Sequence, residues 1–329
     1  MARRDTVPQR SLFLSWVGHS TRSASLGGAL GAELHFVDAG RRLSVLKYLP
    51  RAWRSWRLLA ARRPALVLCM NPPYFVALVA WAYCRRYRAR MVLDSHTAAF
   101  DQPRWIWMLP LHRWLARRAA LSIVTNEGLA ARVRDWGGEA VIVSDIPYTL
   151  PAGDYPLPAD SFTVVFISTF AFDEPLGEVM AAARALPELR FFVTGNSAKA
   201  DPALVAAKPA NLEFTGFLSR EAYAGLLRGA SAIMALTSRD FTMQRGGSEA
   251  ITAGRPLITS DWPVLKQIFH KGALHVDNRA DSIVAALRAL QADYPRYLRE
   301  IREMADERET TWRQTHADLR QRLPELQAG

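Results

Sequence analysis

Short apolar runs alternate with amphipathic stretches along the whole chain of 329 residues. Apolar runs bounded by turn residues read as buried parallel strands, and a 3.6-residue period between them reads as helix. In the first half this predicts strands over 11–16, 33–37, 65–70, 90–94, 121–125 and 140–144, with helices that include 73–88 and 127–136. The second half predicts strands over 163–168, 190–194, 212–214, 231–236, 256–258 and 273–276, with helices over 175–186, 220–229, 263–269 and 281–292. Such alternation predicts an α/β fold built on parallel sheets. Between the halves, 147–161 is proline-rich and aperiodic, which reads as a linker. In the tail, Tyr297, Ile301, Met304, Trp312, Leu319 and Leu323 fall roughly along one helical stripe. The expected organisation is a first domain over 1–146, the linker, a second domain over 162–293 and a tail helix over 294–329.

The segment 239–261, RDFTMQRGGSEAITAGRPLITSD, carries the most chemistry. It follows the apolar run 231–236 and predicts a loop, then a short helix over 244–252 that Gly254 ends. A strand–loop–helix turn aims free backbone N–H groups and the positive end of the helix dipole at the crevice beyond the strand ends, a site suited to phosphate. Glu249 lies one to two turns into that helix, where a carboxylate reaches sugar hydroxyls beside a diphosphate. A helix packed on a sheet with one solvated glutamate is the plainer alternative.

From Glu249 through Ala253-Gly254-Arg255-Pro256-Leu257-Ile258-Thr259-Ser260-Asp261 the segment resembles the GT-B glycosyltransferases, specifically the retaining, nucleotide-sugar-dependent family 4. It matches that family's second glutamate and the pattern after it. The first glutamate is replaced by Phe241, with Asp240 one place early. The resemblance implies two Rossmann-like domains facing across a cleft, with a C-terminal helix crossing back to the N-terminal domain. It also implies a ribose-binding role for Glu249, with Thr242, Met243, Gln244, Arg245 and Gly246 around the donor. The family's phosphate-binding Arg/Lys pair is missing after strand 163–168, so Arg245 with the hydroxyls of Ser168 and Thr169 is expected to substitute. Thr194-Gly195 resembles the family's glycine turn, and Phe217-Leu218 belongs to a segment resembling the one that meets the nucleobase.

In the first half, strand 90–94 ends in Asp94-Ser95-His96, with Asp101 shortly after. Such a polar cluster is costly to bury for packing alone. Family 4 members carry a histidine near this strand end, so His96, with Asp94 and Asp101, is the expected catalytic group. His19, Ser20 and Arg22 after the first strand, and Asn71 after the third, are acceptor-side candidates. A capped helix start accounts for Ser20 equally well.

Charge narrows the partners. The net +11 lies wholly in the first half, where residues 1–146 hold 22 Lys/Arg against 9 Asp/Glu, while 147–329 hold 20 against 22. Nucleic acid and an anionic membrane are the two classes this excess suits. Aromatic placement favours the membrane over nucleic acid. Helical spacing puts Trp53, Trp56 and Leu59 on one face, with Arg51, Arg54 and Arg57 mostly opposite, and Trp107 and Trp114 recur beside Arg113, Arg117 and Arg118. Packing of these rings on the sheet is the alternative. Cys69 and Cys84 sit in apolar runs and read as buried thiols of a cytosolic protein. The N-terminal stretch lacks the apolar core of a signal peptide, and no apolar run is long enough to span a bilayer, so the expected location is cytoplasmic, peripheral on the inner membrane face.

The expected function is a glycosyltransferase moving sugar from a nucleoside-diphosphate sugar to a membrane-associated acceptor, a lipid-linked saccharide or glycolipid. The resemblance favours retention, while His96 or Asp94 equally suits the base of an inverting reaction. No Asp-x-Asp triplet occurs, and neither metal nor resident cofactor is expected. A non-hydrolysing sugar-nucleotide epimerase and a non-catalytic nucleotide-sugar or membrane-binding protein are the rivals. The absence of a Gly-x-Gly-x-x-Gly fingerprint after any strand argues against a pyridine-nucleotide dehydrogenase.

Overall fold

The computed structural model describes residues 11–17, 20–37, 48–144, 146–240 and 242–327. The chain divides into two compact units, 1–146 with 311–329, and 147–310.

The first unit holds strands β1 (Ser11–Ser15), β2 (Glu33–Phe36), β3 (Leu66–Asn71), β4 (Arg90–Ser95), β5 (Leu121–Val124) and β6 (Ala140–Ile142). Between them run α1 (Thr21–Ala29), α2 (Tyr48–Arg62), α3 (Tyr74–Tyr87), α4 (Ala98–Asp101), α5 (Leu109–Ala116) and α6 (Glu127–Asp135). All pairings are parallel, in the order β2-β1-β3-β4-β5-β6. Strand side chains alternate between two cores, as a pleat requires. Leu12, Val67, Cys69 and Leu93 face one core, which α3 and α5 complete, and Phe13, Leu66, Leu68 and Val92 face the other. The sheet order reverses between β1 and β3, and α/β sheets of this kind keep ligands beyond the strand ends at such a switch point.

The second unit holds β7 (Thr163–Phe166), β8 (Arg190–Thr194), β9 (Leu212–Gly216), β10 (Ala232–Ala235), β11 (Leu257–Ser260) and β12 (Ala273–Val276). Its helices are α7 (Leu176–Ala185), α8 (Pro202–Ala206), α9 (Arg220–Gly229), α10 (Arg245–Ala253), α11 (Pro263–Ile268) and α12 (Ala280–Ala292), followed by α13 (Tyr294–Arg322), whose residues from 311 on belong to the first unit. This sheet is also parallel, in the order β12-β11-β10-β7-β8-β9, and its switch point lies between β7 and β10. The tail stripe read from the sequence serves three clusters. Tyr297, then Ile301 and Met304, pack in the second unit, whereas Leu319 and Leu323 pack beneath β1, β3 and β4 of the first. Every predicted strand is present, with ends displaced by up to two residues, as expected where pairing rather than composition stops a strand. Among the described residues no helix is long and apolar enough to cross a membrane. Cys69 and Cys84 are buried free thiols, and burial pushes the Cys84 thiol up to about 12.

Helix α10 sits unusually close to the sheet because its first turn is Gly246-Gly247. A Cβ at Gly246 would come within 2.8 Å of the Ala235 Cβ, and one at Gly247 within 2.4 Å of the Phe269 ring. Gly254 closes the helix at φ +65, in the left-handed region that glycine adopts without strain. Gly247→Ala is therefore expected to cost about 1–3 kcal/mol through overpacking. Gly28→Ala, with nothing within 4 Å of the new methyl, should be neutral or stabilise α1. Chemical denaturation of the two variants checks the contrast.

Candidate functional site

The β7/β10 switch point gathers most of the predicted donor residues. After β10 the chain is pinned at Thr237, whose N–H donates to Ser260 Oγ at 2.8 Å and whose hydroxyl donates to Asp173 Oδ2 at 2.6 Å. Trp262 Nε1 and Asn278 Nδ2 both donate to its carbonyl at 2.9 Å. The loop then runs through half-buried Thr242 and Met243 to Gln244, which caps α10 with no side-chain hydrogen bond, so the first N–H groups of the helix lack a side-chain acceptor. Phe241 lies outside the described residues.

One turn further, Glu249 is only 13% exposed. Tyr223 of α9 donates to its Oε2 at 2.6 Å, and Arg245 Nε donates to its Oε1 at 3.2 Å. Burial raises the Glu249 carboxyl, and these two donors oppose that shift. Arg245 lies 5.1 Å above the Tyr148 ring, which orients the guanidinium along the helix. Glu249 is thus a held carboxylate, not a solvated one. Tyr223 and Tyr148 were invisible in sequence, since their partners lie far away along the chain.

The β7 loop corrects one expectation. Ser168 and Thr169 are not free to receive phosphate, because Glu174 fills the loop. Its carboxylate accepts from Ser168 Oγ at 2.6 Å, Thr169 Oγ1 at 2.8 Å, Thr169 N at 2.9 Å and Phe170 N at 2.9 Å. Successive N–H groups and hydroxyls form an anion nest, and an acid from the same chain occupies it. The Asp173-Glu174 pair directly after Ser168-Thr169 was the sequence signal for this. Thr194 is likewise structural, its hydroxyl accepting from Ser168 N at 3.3 Å. Gly195 is required by close approach, since a Cβ there would lie 2.3 Å from the Ser168 carbonyl. At the end of β9, Phe217 stands 88% exposed whereas half-buried Leu218 packs against the core.

The first unit has its own polar cluster at the ends of β3 and β4. Asp94 is fully buried; Arg22 Nε donates to its Oδ1 at 3.2 Å, and His96 Nε2 bonds its Oδ2 at 3.0 Å. Burial would raise this carboxyl, but Arg22 and His96 overcome it and hold Asp94 down at about 2. In neutral His96, an Nε2–H donated to ionised Asp94 leaves the ring lone pair on Nδ1. The His96 N–H donates to the Asn71 carbonyl, and the buried Asn71 amide has no partner for either polar atom, nor does Arg22 Nη2. Buried orphans of this kind cost about 1–3 kcal/mol each until something pairs them. Asp101 does not join the cluster: it is exposed at the end of α4 and shares no hydrogen bond with Asp94 or His96. Ser20 caps α1, accepting from Ser23 N at 3.2 Å. His19 lies outside the described residues.

The surface reading is corrected in part. Trp56 turns inward against Tyr83 and Tyr87, and Leu59 is buried, because α2 packs through Ser55, Trp56 and Leu59. Trp53 alone of that set is exposed, under Arg57. Arg51 is half-buried and Arg54 exposed. Trp107 is 69% exposed, whereas Trp114 packs edge-on against Trp81. Among the described residues no three His, Cys, Asp or Glu side chains gather as a metal site would need.

Buried His112 of α5, bonded through Nε2 to Ser95 Oγ at 3.1 Å, gives a pH test. Burial lowers its folded pKa from 6.5 to about 3, so between those values the unfolded chain takes a proton that the folded chain refuses. Stability should fall as pH drops through that window, by at most about 1.4 kcal/mol per pH unit for this group. His112→Gln should flatten the slope between pH 6.5 and 4, above the range where Asp94 titrates. Urea denaturation at several pH values measures it, and an unchanged slope contradicts the assignment.

Residues 15–149 match the family model described as a glycosyl transferase 4-like domain, and residues 177–328 match one described as glycosyl transferase-like. Comparison with curated proteins gives no match. Among solved structures, a sucrose-phosphate synthase from Thermosynechococcus elongatus is similar at a TM-score of 0.68 and 17% identity, covering 97% of this chain and 100% of its own. HepE from Anabaena in complex with UDP-glucose is similar at 0.66 and 14%, covering 94% and 99%. A glycosyltransferase from Rickettsia africae is similar at 0.67 and 9%, covering 97% and 99%. With a glycosyltransferase family model on each half and the fold those structures share, the chain belongs to the GT-B glycosyltransferases and is a glycosyl-transferring enzyme.

Proposed function

We propose that the second unit holds a nucleoside-diphosphate sugar at the β7/β10 switch point and that the enzyme transfers the sugar to a membrane-associated acceptor, a lipid-linked saccharide or glycolipid of cell-surface synthesis. The carrying observation is Glu249, buried and fixed by Tyr223 and Arg245. Each of its oxygens accepts one hydrogen bond from the protein and retains capacity for another, which suits two neighbouring ribose hydroxyls. The diphosphate then falls toward the start of α10, where Arg245 and the uncapped N–H groups meet its charge. In transfer, an acceptor hydroxyl oxygen bonds the anomeric carbon as the bond to the diphosphate breaks, and the nucleoside diphosphate leaves with the electron pair. Helix N-terminus and guanidinium stabilise that leaving charge, so the proposed reaction needs no metal.

Retention is the reading that the family resemblance favours. The Asp94–His96 bond favours a second one, inversion with His96 Nδ1 as the base that takes the acceptor proton. The anomeric configuration of the product, read by NMR, separates them. On the surface, exposed Leu49, Trp53, Ile106 and Trp107 among arginines support docking on an anionic bilayer. The epimerase and non-catalytic readings are excluded if labelled sugar passes to a lipid-linked product.

UDP is the first nucleotide to test, since HepE was crystallised with UDP-glucose. Glu249→Ala should weaken UDP binding by about 1.5–3 kcal/mol, the worth of hydrogen bonds to a charged group. Isothermal titration calorimetry measures this, with a thermal melt to show that the variant is folded. Affinity unchanged in the folded variant would remove Glu249 from the donor site.

A further inference from the structure

Helix α5 presents two different faces. Inward, His112, Leu115 and Ala116 are buried, and the His112 ring is enclosed by Tyr74, Phe100 and Trp136 at centroid distances of 5.2, 4.7 and 5.0 Å. Outward, it forms with α6 a groove of about 550 Å³. The groove is lined by three guanidinium groups, Arg113, Arg117 and Arg132, two indoles, Trp114 and Trp136, and the apolar pair Leu109 and Pro110.

Among the described residues no carboxylate lines this groove. Arg117 Nε donates to the Trp136 carbonyl. Arg132 donates to the Phe100 carbonyl at 3.4 Å and lies 5.5 Å from the Trp136 ring. These contacts fix two of the cations without neutralising them. Arg113 is exposed, and among the described residues its side chain takes part in no ion pair. The protein therefore holds three like charges around one concavity, an arrangement that mutual repulsion disfavours until an anion enters. Guanidinium forks match the oxygens of a phosphate, and indole walls accept the adjoining carbon chain.

What precedes the groove identifies the source of that phosphate. Ile106 and Trp107, in the turn just before α5, are 49% and 69% exposed. Apolar side chains beside a cationic groove suit a ligand that is anionic at its head and apolar beyond it. We propose that the α5–α6 groove binds the phosphate headgroup of an anionic lipid, separately from the Arg22–Asp94–His96 cluster and from the nucleotide site. The proposal rests on the membrane reading of the first unit, and it assigns that reading a specific headgroup site rather than a diffuse field.

The probe is dihexanoyl phosphatidic acid, kept monomeric below its micelle concentration and titrated into the full chain with NMR or tryptophan fluorescence as readout. Wild type should bind it saturably. Arg113→Gln should weaken binding about fivefold, and adding Arg117→Gln about 25-fold in all, from about 1 kcal/mol per arginine near a headgroup. Arg113→Lys should restore part of the loss, and circular dichroism should show each variant folded. Dihexanoyl phosphatidylcholine, a zwitterion of equal chain length, should bind weakly. Failure of wild type to bind the phosphatidic acid, or equal affinity in the folded double variant, overturns the site. Equal affinity for inorganic phosphate overturns the lipid assignment, as does tighter binding of a single-stranded oligonucleotide. Phosphatidylglycerol vesicles with the Arg54→Gln/Arg57→Gln variant test docking independently. Vesicle binding without headgroup binding sinks the groove alone, and headgroup binding without vesicle binding supports the groove and sinks bilayer docking.

Discussion

The chemistry of the second unit depends on how closely one helix can approach one sheet. Ala235 and Ile167 lie under Gly246, and Phe269 lies against Gly247, with no room for a methyl at either position. A side chain there would lift α10 from the β7/β10 switch point and carry Arg245 and Glu249 away with it. The glycines give up helix propensity of about 1 kcal/mol each relative to alanine. In return the helix N-terminus lies beside the point where a parallel sheet concentrates its ligand contacts.

Electrostatics is arranged differently on the two loops of that switch point. At β7, Glu174 accepts from the hydroxyls and N–H groups of Ser168, Thr169 and Phe170, so the loop carries negative charge. At β10 the helix start has no side-chain cap and begins with the cation Arg245. At the proposed donor site, an incoming diphosphate would be repelled from the first and drawn to the second. The missing cations after strand β7 thus belong to a consistent design, since a cation there would face Glu174 and not a ligand. The first unit shows the reverse balance, with Asp94 ionised by Arg22 and His96 and then used to orient His96.

Much of this was legible in the sequence. Parallel strands buried on both faces leave an apolar signature, so both sheets could be read along with their helices, and the Glu249 motif marked the donor side proposed above. The failures share a cause. Glu174 in the β7 loop, Tyr223 on Glu249 and the inward turn of Trp56 are all decided by what packs across from a residue, which periodicity does not encode. Helical spacing placed Trp53 with Trp56, yet a packed stripe little more than 100° wide takes Trp56 and leaves Trp53 outside. Asp101 was read from nearness in sequence to Asp94, but the short helix after β4 leaves it exposed.

The most direct test of a donor held by α10 is hydrogen exchange of the full chain with and without saturating UDP. Protection should rise in 237–253, from the loop after β10 through Glu249, and spread less strongly to Tyr223. Protection confined to the first unit, or no change in 237–253 despite measurable binding, would contradict a nucleotide site at the β7/β10 switch point.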